Sequence, residues 1–365
     1  MKFQIEKNTF LKTLQKVQGI VEKRNTMPIL ANILIKAQQG KIEVMATDLE
    51  VSIKDLCDAV VTKEGSMTIN ARKLFEIVKE VPEDKIDIST EDSGKITIKS
   101  GKVKFNMVGL PVEEFPSFPV YDEGKLSRVT PETLKEMIEK TAFASSTDET
   151  RYNINGVFME KEGANIRMVA TDGHRLAVIV KSSEWPTLDK GVILPRKGIL
   201  ELKRFLDNTE GNFSLAFTAN SMIVKREGTI LVIRLIDGEF PDYKQVIPKG
   251  NEVKVKLERG GFLSSLKRVS LLSMEKGRSV KFGLSKGKLE LSSNNPDIGE
   301  AREELNVNYK NEGLEIGFNA TYMMEALGVI GGDEVVLELK DRESPAMLKS
   351  ASAEDYLYVI MPMRI

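Results

Sequence analysis

The sequence predicts an α+β protein built from three copies of one domain, and three observations carry that expectation. First, short motifs recur. Ala46-Thr47-Asp48 returns as Ala170-Thr171-Asp172 and Arg72-Lys73 as Arg196-Lys197, each 124 residues on, while Glu114-Phe115-Pro116 returns as Glu239-Phe240-Pro241, 125 residues on. Second, each copy opens with a helical stripe and then alternates like half-buried antiparallel sheet. Third, a fainter copy follows, with Ser292-Ser293-Asn294 where Ala-Thr-Asp should stand and Met361-Pro362-Met363 where Leu110-Pro111 would fall. A period this long is a whole domain rather than a solenoid unit. Three such domains in a row imply a curved assembly.

In the first copy, Phe10, Leu11, Leu14, Val17 and Val21 recur at helical spacing after Asn8, so a helix is expected over 7–24 with Asn8 as its cap. The strands Ile33-Leu34-Ile35 and Ile42-Glu43-Val44 follow, then a second helix marked by Leu74, Phe75, Ile77 and Val78. Ile86-Asp87-Ile88 and Lys104–Leu110 close the copy. The second copy places Thr130 as cap and Pro131 at the first helical position before Leu134, Met137, Ile138 and Thr141. Strands at Gly156–Met159 and Ile166–Val169 precede a helix through Ile199, Leu200, Leu202 and Phe205, and Phe213–Leu215 and Ile230–Ile236 complete it. In the third copy the stripes are Phe262, Leu263, Leu266, Val269 and Tyr322, Met323, Met324, Leu327, with strands at Val335–Leu339 and Tyr356–Met363. Proline and glycine mark linkers at 118–124 and 247–252. The expected domains are 1–119, 125–246 and 251–365.

At 365 residues the chain exceeds one comfortable core. With 29% charged and 41% hydrophobic residues it reads as soluble and well folded. The single cysteine, Cys57, excludes a disulfide framework and a zinc cluster and reads as a buried, reduced thiol. No apolar stretch approaches ~20 residues, and Met1–Glu6 carries no signal-peptide core, so a cytoplasmic location is expected.

The lone histidine, His174, stands two residues from Asp172. An acid–base pair with a serine nucleophile would make a hydrolase, but no Gly-x-Ser-x-Gly run exists and a turn at Gly173 explains the spacing more simply. No phosphate-binding loop, dinucleotide fingerprint or metal-ligand spacing is present, so neither cofactor nor metal is expected. The chain reads as a non-enzyme. The alternatives are a hydrolase built on Asp172 and His174, or a monomeric peptide-binding scaffold.

Net charge is only −1, yet positive charge gathers on helices. Residues 7–24 hold Lys7, Lys12, Lys16, Lys23 and Arg24 against Glu22; the helix after Pro195 holds Arg196, Lys197, Lys203 and Arg204 against Glu201 and Asp207. Any one such helix is an ordinary solvated face. With Arg72, Lys73 and Lys79 against Glu76 and Glu80, and Arg259, Lys267 and Arg268 against Glu258, four helices share one bias and imply a surface that faces phosphates. Aromatic interleaving and a base-reading helix are both missing, so duplex DNA held without sequence preference fits best.

The run Thr171-Asp172-Gly173-His174-Arg175-Leu176-Ala177, the paired Glu-Phe-Pro segments and the terminal Met361-Pro362-Met363-Arg364 resemble the bacterial DNA polymerase III beta subunit family, the sliding clamps, and the resemblance runs from Met1-Lys2-Phe3 to the end. It implies three domains of one topology per subunit and two subunits closing head to tail into a ring. Helices would line the hole and antiparallel sheets lie outside. Such a contact makes a ring only when its rotation closes. Arg24, Arg72, Tyr152 and Lys197 would lie nearest DNA. Their attraction should be weak, because tight phosphate clamping would brake sliding.

The resemblance also implies a partner-peptide pocket between the second and third domains. It would comprise Ile154, Thr171, Gly173, His174, Arg175, Leu176, Pro241, Val246, Asn319, Tyr322, Met361, Pro362, Met363 and Arg364. Implied partners are the replicative polymerase alpha subunit, the clamp loader, and other polymerases and repair proteins carrying short linear motifs. Flexible thioethers suit one groove that serves many partners. Two departures imply a shallower pocket: Gly277 where an aromatic can stand, and Gln245 where the family can have Arg. At the subunit interface the resemblance places Lys73, Phe105, Leu271 and Leu272, with Asp297, Glu300 and Glu303 as acidic partners. There the apolar residues should dominate.

Overall fold

The apolar stripes named above mark short helices whose main apolar residues are buried, although Leu200 is 46% exposed and Val21 lies beyond the end of its helix. The computed structural model describes the chain apart from residues 22–26, 92–93, 183–184, 186–187, 189, 208–212, 275–276 and 365. Within it lie α1 (Lys7–Gln18), α2 (Ala71–Glu80), α3 (Pro131–Thr141), α4 (Arg196–Asp207), α5 (Arg259–Val269) and α6 (Ala320–Val329). Phe10, Leu14 and Val17 of α1 are buried, as are Leu74 and Val78 of α2, Leu134, Met137 and Ile138 of α3, and Phe262, Leu266 and Val269 of α5.

Two expectations about α1 need correction. The helix stops at Gln18, with Gly19 at its C-cap, rather than continuing to residue 24. Its N-cap is Glu6, not Asn8, because the strand Lys2–Glu6 runs straight into it. No capping side chain is used; the Lys7 N–H donates instead to the Asp84 carbonyl at 2.7 Å. An orphan donor at a helix start needs a partner, and here the neighbouring chain supplies it.

Among the described residues the strands form four antiparallel sheets of five, eight, eight and four strands. By contact the chain groups into two compact units, Met1–Pro131 with Trp185–Thr187 and Lys197–Leu235, and Glu132–Glu184 with Leu188–Arg196 and Ile236–Ile365. The middle copy is thus divided between them. Each unit owns one eight-stranded sheet, and each such sheet is shared by consecutive copies. In the first unit Val51–Asp58 pairs with Thr229–Arg234, setting Ser52 opposite Val232. In the second, Arg175–Ser182 pairs with Tyr356–Ile360, setting Leu176 opposite Val359.

A buried carboxylate reinforces the first junction. Asp55 is 2% exposed and accepts hydrogen bonds from Thr13 Oγ1 at 2.7 Å, Lys16 Nζ at 2.9 Å and Thr229 Oγ1 at 2.5 Å. One side chain from the middle copy and two from α1 therefore meet on one anion, whose burial is tolerated because it is fully bonded. At the sheet margins, Val103–Val108 and Gly299–Asn306 are edge strands. Among the described residues no helix is long and apolar enough to cross a membrane.

Candidate functional site

The repeated Ala-Thr-Asp motif is a turn that bonds to its own backbone, a habit of Thr and Asp side chains. In the first copy Thr47 Oγ1 accepts from the Leu49 N–H at 3.0 Å, and Asp48 Oδ1 accepts from the N–H groups of Glu50 and Val51 at 2.9 and 2.6 Å. In the second, Thr171 Oγ1 accepts from the Gly173 N–H at 3.0 Å, and Asp172 Oδ1 from those of His174 and Arg175 at 2.9 and 3.1 Å. The pivotal residue is left-handed in both, at φ +77° for Leu49 and φ +91° for Gly173. The third copy differs: Ser292-Ser293-Asn294 lies inside the strand Lys288–Asn295, and Ser293 Oγ donates to the Val269 carbonyl at 2.6 Å.

The turn at 171–175 aims Arg175 inward. Its guanidinium is 7% exposed and donates through Nε to Asp172 Oδ2 at 3.0 Å and through Nη2 to the Phe143 carbonyl at 2.6 Å, while Nη1 pairs with Glu325. It stacks over the rings of Tyr322 and Phe143, 4.1 and 5.3 Å from their centroids. Burial opposes its charge, but the neighbouring carboxylate and phenol oxygens outweigh that and hold the guanidinium firmly protonated. Burial pushes the Tyr358 hydroxyl above its ordinary range, and that hydroxyl donates to the Tyr322 carbonyl at 3.0 Å. Asn319 caps α6, its side chain accepting from the Tyr322 N–H at 3.2 Å. The elements that present this site are therefore fixed by a buried cation.

Asp172 is consumed by this arrangement. Its carboxylate serves two main-chain N–H groups and the Arg175 Nε, so the Asp172–His174 acid–base pair of the hydrolase alternative is not formed. The exposed His174 contributes through its backbone: the Met361 N–H donates to the His174 carbonyl at 2.9 Å. The Met363 N–H then reaches the Gly317 carbonyl at 2.8 Å, so the C-terminal segment is pinned at alternate residues.

Beside that segment lies an apolar cluster of Val169, Leu176, Val178, Tyr243 and Val359, extended by Phe158, Phe240 and Ile247. Phe158 and Phe240 stack with centroids 4.9 Å apart. Pro241, Val246 and Met361 are exposed, Pro362 and Met363 half-buried, and Arg364 exposed. Ile154, in a short turn at Tyr152–Ile154, is buried and sits behind the surface rather than on it. Gly277 has φ +98°, and a Cβ added there would approach Met363 Cε to 3.1 Å. The Gln245 amide is held by Asp242 Oδ2 at 2.8 Å. On its other side the C-terminal segment borders an open cavity of about 1070 Å3 with Glu315, Asp341 and Glu343.

The remaining named residues are dispersed. Arg72 is exposed and 3.3 Å from Glu76, which also takes Lys73 at 2.8 Å. Tyr152 is exposed and its ring lies against Gly238. Lys197 is half-buried and paired with Asp48, so much of its charge is spent inside the protein. Arg24 lies outside the described residues. Phe105 is half-buried on the edge strand Val103–Val108, Leu271 is 76% exposed, and Leu272 is half-buried. Asp297 and Glu300 are exposed, the latter 3.2 Å from Arg302. Glu303 accepts from Arg268 Nε at 2.9 Å and from Ser265 Oγ at 2.7 Å within its own chain. Sequence reasoning missed Glu325, Phe143 and Tyr358, which carry no motif and meet Arg175 only in three dimensions.

Three copies of one α+β unit, with sheets shared between consecutive copies, define a clamp-type scaffold. The descriptions of the DNA polymerase III beta subunit N-terminal, central and C-terminal domains match residues 1–119, 128–242 and 244–364 respectively. The chain belongs to the DNA polymerase III beta subunit family. It is 38% identical to the beta sliding clamps of Pseudomonas aeruginosa, over 374 residues, and Caulobacter vibrioides, over 375, each covering all of both chains. The crystal structure of the P. aeruginosa subunit superposes with a TM-score of 0.94 at 37% identity over the whole of both chains. The Bacillus subtilis clamp does so at 0.95 and 30% identity, over all of this chain and 99% of its own.

Proposed function

We propose that this chain is a non-catalytic processivity clamp: it encircles duplex DNA as a ring of two copies and tethers the replicative polymerase and other DNA-processing proteins. Its three domains are taken as 1–119, 125–246 and 251–365. The observation that carries the ring is strand pairing across copy boundaries. Both boundaries within the chain are spanned by antiparallel strands, and of the several edge strands Val103–Val108 and Gly299–Asn306 are the two assigned to pair with another copy. Phe105 on the first, and Leu271 and Leu272 near the second, supply apolar contact; Lys73, Asp297 and Glu300 supply the rim. A free edge is a liability unless covered, and a head-to-tail pair of such edges covers both.

Contact with DNA is assigned to Arg72, Tyr152 and Arg24, with Lys197 contributing less because Asp48 already holds it. The groove over Leu176, Val246, Met361 and Met363 is assigned to a partner's short apolar motif, with the backbone around Gly173 and His174 as its polar edge. A Caulobacter crescentus clamp structure with polyethylene glycol in a beta-motif tethering region concerns a relative, and accords with a groove of this kind.

The test is topological. Protein loaded on a closed circular duplex should stay bound through gel filtration and be lost when the circle is cut. Equal retention on circle and linear DNA would overturn encirclement, and a strictly monomeric mass at micromolar concentration would overturn the ring.

A further inference from the structure

We propose that the first unit carries a second docking groove, which takes an extended segment of a partner protein bearing two apolar side chains and a carboxylate. The proposal rests on the peptide-site reading of the second unit in one respect: the repeat makes the two places equivalent. The Arg234 N–H donates to the Glu50 carbonyl at 2.8 Å, as the Met361 N–H does to the His174 carbonyl at 2.9 Å. Ser52 faces Val232 across the sheet as Leu176 faces Val359.

At this place lies a groove of about 530 Å3 whose wall combines Leu49, Val120, Ile223, Val232 and Arg234 with Glu50, which is already engaged within the protein, and with the polar Ser52, Thr218, Asn220 and Ser221. That volume is within the range of roughly 300–1,000 Å3 usual for ligand clefts. A smaller cavity of about 230 Å3 adjoins it and shares Val120 and Ile223. Val120 is 96% exposed, an unusual position for a branched apolar residue. Leu49 is held at φ +77°, where its counterpart is glycine. A non-glycine residue there costs about 1–2 kcal/mol, and such outliers collect where function keeps them. The backbone conformation is retained while an apolar side chain is presented.

The chemistry of the occupant follows from the substitutions between copies. Met361 and Leu176 are replaced by Arg234 and Ser52, so the first groove exchanges a thioether wall for a cation. The exposed Arg234 guanidinium has no carboxylate within ion-pair distance among the described residues. An extended segment puts side chains two apart on one face. Apolar groups at such spacing meet Leu49, Val120 and Ile223, and an acidic group beside them meets Arg234.

The full-length protein, methyl-labelled at Leu, Val and Ile, would be titrated with acetyl-Leu-Ser-Val-Ser-Glu amide, which sets the two apolar groups and the carboxylate on one face. Saturable shifts at Leu49, Val120, Ile223 and Val232 are expected, and Arg234→Ala should weaken the apparent affinity about tenfold, as loss of a charge-assisted hydrogen bond does. Unaltered methyl positions elsewhere would show that the variant is folded. Shifts confined to Leu176, Val246 and Val359 would overturn the second groove while leaving the peptide site of the second unit standing. Shifts at neither place, in protein still retained on circular DNA, would overturn the second groove without touching the clamp reading. Affinity unchanged in Arg234→Ala would overturn it too. So would first-unit shifts that move on dilution alone, since another copy would then be the occupant.

Discussion

The Arg175 guanidinium lies 4.1 Å from the centroid of the Tyr322 ring while its Nε donates to Asp172 at 3.0 Å. One buried cation therefore ties the repeated turn to α6. Removing it would leave Asp172 and the Phe143 carbonyl short of donors in a dry site, and breaking such a pair costs about 3–5 kcal/mol. Arg175→Ala should lower stability by that order in denaturant unfolding. Arg175→Lys should recover only part, since it keeps the charge and loses the planar fork. A loss below about 1 kcal/mol for the alanine variant would mean that the cation does not organise the site.

Leu49 and Gly173 occupy the same left-handed position in two copies, so opposite substitutions should have opposite signs. Relief of strain worth about 1–2 kcal/mol, offset by glycine's entropy cost of about 0.5–1 kcal/mol, leaves Leu49→Gly neutral to slightly stabilising. Gly173→Ala should destabilise by about 1–2 kcal/mol, because its Cβ would also stand 2.9 Å from Arg151 Nη2. Paired thermal melts check both; a lower Tm for Leu49→Gly would contradict the strain argument.

Lys181 bridges Glu136 at 2.8 Å and Asp355 at 2.6 Å. Burial raises both carboxyls, but hydrogen bonds from Lys181, and for Glu136 from Lys140 as well, outweigh it and hold them below their ordinary values of 4.5 and 3.8. A depressed carboxyl stabilises the fold above its unfolded value and loses that contribution as pH falls through the folded one. Lys181 is raised above 10.5 by the same partners against the effect of burial, so its share persists below that pH and is lost well above it. Unfolding free energy should therefore fall as pH drops from 4.5 through 3.8 and below, and Lys181→Met should flatten that fall. An identical acid limb in the variant would show that the triad does not contribute.

Leu271 is 76% exposed and touches little within its own chain. Leu271→Asp should leave the Tm of the isolated chain nearly unchanged, since surface substitutions rarely exceed about 0.5 kcal/mol. At an apolar hot spot it should raise the dimer dissociation constant by at least about tenfold. Sedimentation at a series of concentrations separates these effects. Unchanged self-association would move the subunit contact elsewhere.

The helices and strands were legible because amphipathic period is a local property: Leu134, Met137 and Ile138 announce α3 whatever surrounds it. The repeat was legible because Thr47 and Asp48 bond within five residues of themselves, and Thr171 and Asp172 do the same. What stayed hidden was long-range. Nothing in Arg175 names Glu325, 150 residues away, nor in Lys197 names Asp48, and both pairings change what those cations are free to do. The extent of α1 was misjudged because its apolar spacing runs on to Val21, past the point where Gly19 ends the helix.

The sheets that cross copy boundaries have a consequence for how this chain can be cut. The sequence repeats at an interval of about 125 residues, yet the strand pairing is not parcelled at that interval. Excising the last copy would strip Tyr356–Ile360 from the flank of Arg175–Ser182 and bare Leu176 and Val178 to water. Excising the first would strand Thr229–Arg234 and unburden Thr229 of Asp55. The repeated modules depend on one another's strands, so the smallest independently stable fragment should be longer than a single repeat.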